Sequence, residues 1–353
     1  MRVTKIYLKG FRNHNNLLLE LESDTTLIIG NNGVGKTNVL EAIHLAATTK
    51  SIRTHYDREM ISHNENAAYV QVIANISNEP TKLEISLLKS EKFTNASSKQ
   101  VKINSVKKTV NAFAGTINTV MFAPSDIEVF AGSPGNRRKY LDSIFFQLDN
   151  DYKRAFTDYT KALKQRNKVL ESIKEYKKGQ DQLEFWDIKL IDTGSIIQNK
   201  RMELFEFINS SINSHAQTLN ETPANVYINY LINEVSKERI KKYKEKELII
   251  GKTMLGPHKD DFEIILNNYA IANYGSRGQQ RMCLLALKLC EIDFIHLKTK
   301  KRPILLLDDI FSELDDPHKK AIWGIVNLQQ TIITAAEPVD NINSAEIAII
   351  ELT

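Results

Sequence analysis

The sequence predicts an α/β fold in which a strand, a glycine-rich turn and a helix open the core, and a helical insert interrupts it. Three observations carry this prediction. The apolar run Thr26-Leu27-Ile28-Ile29 leads into Gly30-Asn31-Asn32-Gly33-Val34-Gly35-Lys36-Thr37, after which Val39, Leu40, Ile43 and Leu45 to Ala47 recur at helical spacing. A second apolar run, Pro303-Ile304-Leu305-Leu306-Leu307, ends in the carboxylates Asp308-Asp309. Between the two, from Arg137 to about Glu247, the chain turns from strand-rich to helical.

The turn from Gly30 to Thr37 satisfies G-x-x-x-x-G-K-[ST], the phosphate-binding loop, in the strand-to-helix setting that this loop requires. Glycine lets the backbone approach a triphosphate where a Cβ would block it. Successive N–H groups and the helix N-terminus then face phosphate oxygens, where the helix dipole favours an anion. Lys36 is expected to reach the β- and γ-phosphates, and the Thr37 hydroxyl to ligate Mg²⁺. Gly30, Asn31, Asn32, Gly33, Val34, Gly35, Lys36 and Thr37 thus form the expected ATP cradle.

The remaining elements follow in order. Val3 to Leu8 alternates as a strand, Gly10 to Asn15 is a polar turn, and Leu17 to Leu21 is a second strand. After the loop helix comes a polar, basic stretch, Thr48 to Thr54. Tyr69–Ile76, Lys82–Leu88 and Gln100–Val106 read as an antiparallel sheet, and Val120–Phe122 as a buried strand ending at Pro124. Gly132-Ser133-Pro134-Gly135 breaks the chain. Leu141, Phe145, Leu148, Tyr152, Phe156, Tyr159, Leu163, Leu170 and Ile173 then fall at the spacing of one amphipathic helix. Leu183 to His215 continues helically until Thr222-Pro223. Val226–Ile232 reads as a strand and Ser236–Glu247 as a charged helix. Gly256 to Asp261 is a polar loop. Phe262–Leu266 and Tyr269–Asn273 form a hairpin on Asn267-Asn268. A helix runs from Gly275-Ser276 to about His296. Thr331–Thr334 is a further buried strand, and Glu346 to Leu352 the last segment. The expected organisation is an N-terminal part of one lobe over 1–135, a compact helical lobe over 136–250, and the rest of the first lobe over 251–353.

Composition narrows the classes. Of 353 residues, 42% are apolar and 25% charged, an ordinary globular balance, and the net charge of +4 neither requires nor excludes nucleic acid. No apolar run approaches a membrane span of about 20 residues. Met1 to Lys5 begins a strand rather than a leader, so the cytoplasm is the expected compartment. Cys283 and Cys290 share one helix, about 10 Å apart by rise, too far to bridge.

Beside a phosphate loop, a strand ending in Asp308-Asp309 has a physical use. Asp308 is placed to hold Mg²⁺ and Asp309 to orient or deprotonate the attacking water. Ser276-Arg277-Gly278-Gln279 resembles the signature of ABC-type ATPases, and Ser312-Glu313-Leu314-Asp315 resembles their D-loop. All four motifs occur in the required order. Ser276 and its helix N-terminus also read as an N-cap, and as a second anion site. The interval from Lys36 to Ser276 is too long for a transporter subunit and too short for an extended coiled-coil arm.

Further matches lie in Lys9-Gly10-Phe11-Arg12-Asn13, Leu40-Glu41-Ala42-Ile43, Phe122-Ala123-Pro124-Ser125-Asp126, Gly132 to Arg138, Leu255 to Asp261 and Leu306 to Asp315. With these the whole chain resembles the RecF family of SMC-like ABC-type ATPases. The resemblance implies an ABC-type P-loop ATPase head with an antiparallel β subdomain and an inserted compact α-helical lobe. It implies slow ATP hydrolysis with Mg²⁺ and an ATP-dependent homodimer on double-stranded, gapped or junction DNA. It also implies work with RecO and RecR in loading the RecA recombinase. The implied catalytic set is Lys36, Ser276 and Asp309. Ser276, Gly278 and Gln279 would meet the γ-phosphate held by the opposite subunit. Arg12 would touch ATP or be a solvated turn residue. Arg53 would contact DNA or be a surface residue. Arg137 and Arg138 open a helix where cations are poorly placed, so a DNA phosphate contact is the reading. Two features depart from the wider ABC pattern. Ala335 and Ala336 stand where a switch histidine is expected, and Ser125-Asp126 stand in the place of a glutamine loop. The alternatives are a structural SMC-like DNA tether and, further off, a transporter ATPase subunit.

Overall fold

The computed structural model describes every residue except 55, 91–96, 220–223, 313, 315 and 338–346. Thr222-Pro223, Glu313, Asp315 and Glu346 therefore lie outside the described residues. In chain order the elements are β1 (Arg2–Phe11), β2 (His14–Glu20), β3 (Thr25–Ile29), α1 (Lys36–Thr48), β4 (Ala67–Ile76), β5 (Glu79–Lys89), β6 (Ser97–Ile103), β7 (Val106–Lys108), α2 (Val110–Phe113) and β8 (Thr119–Phe122). Then come α3 (Glu128–Ala131), α4 (Pro134–Leu148), α5 (Asn150–Tyr176), α6 (Gln180–Leu219), β9 (Val226–Leu231), α7 (Lys237–Ile250), β10 (Asp261–Leu266), β11 (Tyr269–Ala270) and α8 (Ile271–Tyr274). The chain ends with α9 (Arg277–Thr299), β12 (Ile304–Asp308), α10 (Asp316–Val326), β13 (Thr331–Ala335) and β14 (Ile347–Glu351).

Two compact units result. The first comprises Met1–Asp126, Thr218–Glu221 and Lys288–Thr353, the second Ile127–Gln217 and Thr222–Leu287. The second unit is thus larger than a lobe over 136–250, because β10, β11, α8 and the start of α9 pack with the inserted helices.

The first unit holds a parallel sheet of order β14-β3-β13-β12-β8 and an antiparallel sheet of order β2-β1-β4-β5-β6-β7. Helix α1 packs against strands of both, and one core joins its Val39, Leu40, Ile43 and Leu45 to Ile6, Val70 and Ile85 of one sheet and Ile28, Leu306 and Ile332 of the other. Each such fully buried aliphatic side chain contributes about 1.5–3 kcal/mol. Gln330, buried before β13, accepts from Val3 N (2.6 Å) and donates to Val3 O (2.7 Å), tying β1 to the parallel layer. The run Gln100–Val106 contains a turn, with Asn104 and Ser105 at positive φ between β6 and β7.

In the second unit the single amphipathic helix from Arg137 is two helices. Asp149 leaves helical geometry and its carboxylate caps α5, accepting from Asp151 N and Tyr152 N at 2.9 Å. The hairpin β10–β11 turns on Asn267-Asn268, both at positive φ, but its second strand stops at Ala270 and Ile271–Tyr274 is helical. The polar stretch from Gly256 to Asp261 is anchored in the unit at Asp260, while Lys259 is exposed. Asp260 is fully buried and accepts from Arg201 Nη1 (3.2 Å), Gln198 Nε2 (2.9 Å), Tyr230 Oη (2.5 Å) and Asn233 N (2.8 Å). His258 Nδ1 lies 2.6 Å from Tyr159 Oη, and burial pushes its pKa down to about 4.

Candidate functional site

The parallel sheet places its strand ends together, the position at which open α/β sheets bind ligands. β3 delivers Gly30, β12 delivers Asp308, and β13 between them delivers Thr334. Gly30 must be glycine because a Cβ would lie against the Leu352 carbonyl. Lys36 spans the loop, its Nζ donating to Gly30 O (2.6 Å) and Asn31 O (3.1 Å). No side chain caps the N-terminus of α1, whose first turn follows Gly35 at φ +109°. Asn31, Asn32 and Gly33 are exposed and Val34 half-buried.

Thr37 Oγ1 donates to Asp308 Oδ1 at 2.8 Å, so the loop and the acidic strand end meet. Thr334 Oγ1 donates to the same oxygen at 2.8 Å. The adjacent Asp309 takes φ +49°, and its N–H is held by Thr334 O and Oγ1, both at 3.1 Å. Burial raises the Asp308 pKa and the charge of Asp309 adds to the rise; the bonds from Thr37 and Thr334 oppose it. This donor set is hard oxygen on a carboxylate that the chain solvates poorly. It fits Mg²⁺, which takes few protein oxygens and completes its shell from water and phosphate. Among the described residues no group of three His, Cys, Asp or Glu side chains could hold a metal by itself.

Two residues that the sequence did not single out touch the loop directly. Asn13 donates both amide hydrogens, to Gly33 O (3.1 Å) and Val34 O (2.9 Å). His14 Nε2 lies 3.0 Å from Gly35 O; a carbonyl only accepts, so this nitrogen carries the proton. Burial lowers the His14 pKa and keeps the ring neutral, although the Gly35 bond opposes this. Peptide groups are planar, with C=O and the next N–H pointing oppositely. Holding three successive carbonyls on one side therefore turns the N–H groups of Val34, Gly35 and Lys36 to the other. Their signal was the polar turn ahead of the loop, where Asn13 closes a stretch matched to the family but Arg12 alone was given a role.

Arg12 itself faces elsewhere. Its guanidinium grips buried Glu41 of α1 through Nε (2.8 Å) and Nη2 (2.6 Å), and Nη1 donates to Glu59 O (2.7 Å). It is neither a solvated turn residue nor, in this conformation, aimed at the loop. Arg53 is exposed and donates from Nη1 to Asn38 Oδ1 at 3.0 Å. Ser125 and Asp126 follow β8; Asp126 accepts from Ala123 N (2.9 Å) and lies 3.6 Å from buried Lys288 Nζ. Ala335 ends β13.

In the second unit Ser276, Arg277, Gly278 and Gln279 are exposed at the head of α9. Gln279 N donates to Ser276 Oγ (3.3 Å) and Ser276 N to Gln279 Oε1 (2.9 Å), a reciprocal capping box. A Cβ on Gly278 would meet nothing within 4 Å. Its glycine costs the helix about 1 kcal/mol relative to alanine with no packing reason inside the chain. Arg137 pairs with Asp261 through Nε (2.5 Å) and Nη2 (2.9 Å), and Nη1 donates to Gly132 O (2.9 Å). Arg138 Nη1 donates to Asp260 O (3.0 Å), and burial lowers its pKa. The two arginines, expected as DNA contacts, are both engaged within the chain at the start of α4, with a carboxylate and backbone carbonyls. Among the described residues no helix is long and apolar enough to cross a membrane.

Comparison with known proteins agrees with this architecture. The family model for the RecF/RecN/SMC N terminal domain matches residues 2–347. The DNA replication and repair protein RecF of Clostridium botulinum (strain Eklund 17B / Type B) is 35% identical over 343 residues, covering 95% of this chain and 92% of the relative. That of Lachnoclostridium phytofermentans is 35% identical over 338 residues with the same coverage. A solved structure of the recombination mediator protein RecF-ATP in the RecFOR pathway superposes with a TM-score of 0.87 at 33% identity, covering 96% of this chain and 93% of the other. The RecF-ATPrS structure gives 0.87 at 31% identity, covering 99% and 96%. The Smc head domain of Pyrococcus furiosus, at 17% identity and a TM-score of 0.54, covering 100% and 94%, shares the fold alone. With an ABC-type head built on a phosphate loop, and relatives alike over nearly their whole length, the chain belongs to the RecF family of DNA replication and repair proteins.

Proposed function

We propose that this protein is an ATP-driven switch that dimerises on DNA. The observation that carries the reading is the 2.8 Å contact of Thr37 with Asp308, which joins the phosphate loop to a buried acid. The RecF-ATP and RecF-ATPrS neighbours support ATP as the ligand. In this reading Lys36 leaves the Gly30 and Asn31 carbonyls for the β- and γ-phosphates. Thr37 and Asp308 hold Mg²⁺, which would offset phosphate charge as the terminal bond breaks. Asp309 orients the attacking water, and Thr334 fixes both acids. The shorter reach of Asp309, compared with a glutamate, suits slow turnover.

Ser276, with the open Gly278 and Gln279 beside it, meets the γ-phosphate on a second copy, so ATP is sandwiched head to tail. The dimer binds double-stranded DNA at gaps or junctions, with Arg53 as its contact in the first unit. The protein acts with RecO and RecR to load RecA, and hydrolysis resets it.

Sedimentation with Mg-ATP tests the sandwich. Wild type is expected to shift from monomer to dimer. Ser276→Arg should bind ATP and stay monomeric, and Asp309→Asn should hold the dimer after wild type has dissociated. A dimer that survives Ser276→Arg would discard the model.

A further inference from the structure

The hydrogen bonds that grip the phosphate loop continue beyond it. Asn13, which holds the Gly33 and Val34 carbonyls, accepts on Oδ1 from Asn38 Nδ2 at 2.7 Å. Asn38 accepts on its own Oδ1 from Arg53 Nη1 at 3.0 Å. The backbone carrying Arg53 is pinned independently: Ser51 Oγ accepts from Arg53 N (3.0 Å) and Thr54 N (3.1 Å) and donates to Glu41 Oε1 (2.5 Å). Glu41 in turn is locked by Arg12. Arg53 therefore projects from a fixed base, and its first polar neighbour begins a chain that ends on the loop.

We propose that Arg53, Asn38 and Asn13 form a positioning chain that orients the phosphate loop for nucleotide. The chain has one polarity, each member donating to the next. A charged donor at its head polarises the Asn38 amide, which strengthens the Asn38–Asn13 bond and then the two bonds to the loop. Asn13 needs this support because it is exposed, and an unsupported asparagine would exchange its carbonyl bonds for water. The loop carbonyls it holds set the direction of the Val34 and Gly35 N–H groups. Arg53 thus acts on ATP affinity through two asparagines and without DNA. The inference rests on the reading of the loop as an ATP site.

The test is a double-mutant cycle on the affinity of a fluorescent ATP analogue with Mg²⁺ and no DNA. Asn13→Asp is isosteric but cannot donate to carbonyls, and is expected to weaken binding about tenfold, the value of one to two hydrogen bonds. Arg53→Ala should weaken it about threefold, Arg53→Lys should recover most of that loss, and melting temperatures should hold. In the Asn13→Asp background Arg53→Ala should cost nothing further, because the chain is already cut. A direct attraction between Arg53 and the phosphates would instead keep its full loss in that background, and this result overturns the proposal. So does wild-type affinity in Arg53→Ala alone. If wild type binds no nucleotide while Lys36→Ala behaves identically, the ATP reading itself falls and takes the chain with it.

Discussion

His44 carries an acid sensitivity whose sign is fixed by its surroundings. It is buried on α1, with Nδ1 3.0 Å from Thr119 Oγ1, and its pKa is pushed down to about 3 by burial and then by the Lys288 charge. Lys288 keeps its own charge: burial works against the ammonium, but Asp126 and Glu291 outweigh it and raise its pKa. A neutral folded histidine and an ordinary unfolded one mean that unfolding takes up a proton below about pH 6.5. His44 therefore imposes no pH penalty above that value, and stability is lost as the pH falls from there toward about 3. His44→Gln should lose less stability than wild type between pH 7 and pH 5, as read from urea midpoints; equal losses would contradict the assignment. At this scale the sequence was legible where chemistry fixes residue type. Thr37 meets Asp308 across most of the chain, as a phosphate loop beside an acidic strand end implies, whereas Asn13 and His14 act through backbone carbonyls, a role that residue type alone does not reveal. The partners of Arg137 and Arg138 were not legible, because the Asp260-Asp261 pair that engages them is remote in sequence.

At the scale of elements, turn chemistry and apolar runs were readable, and continuity of pattern misled. Asn267-Asn268 was read as a two-residue hairpin turn, and both residues take the positive φ such a turn needs. Asn104-Ser105 is the same device, yet Gln100–Val106 was read straight through it. The α4–α5 break hid likewise, since apolar spacing continues across Asp149. The stretch around Asp260 was read as a polar loop because its residues are polar; Asp260 itself is buried, because partners remote in sequence satisfy it. Asp260 and Arg201 form a buried pair, with Asp142 also 2.8 Å from Arg201 Nη2. Asp260→Asn keeps the shape and removes the charge that balances Arg201, and should destabilise by about 3 kcal/mol in urea unfolding. Lys241→Ala on exposed α7 should cost less than about 0.5 kcal/mol. Similar costs for the two would contradict the role of the buried pair.

For the whole molecule, the order of motifs along the chain conveyed more than any single one. The phosphate loop and the Asp308 strand both fall in the first unit although most of the chain separates them, because β12 and β13 complete the sheet that β3 begins. The insertion was legible as a change in periodicity. Its limits were not, since the second unit takes in β10, β11 and the start of α9, which resemble the surrounding α/β fold in composition. Membership of the RecF family removes the transporter reading.

The central claim, an ATP-gated clamp on DNA, is tested most directly by fluorescence anisotropy of a labelled gapped duplex titrated with protein, with and without Mg-ATP. Wild type and Ser276→Arg should run side by side at one fixed salt, since phosphate-driven affinity depends on salt. Tight binding by wild type only with ATP, and its loss in Ser276→Arg, is the predicted result. Binding indifferent to ATP, or equal in the variant, would contradict it.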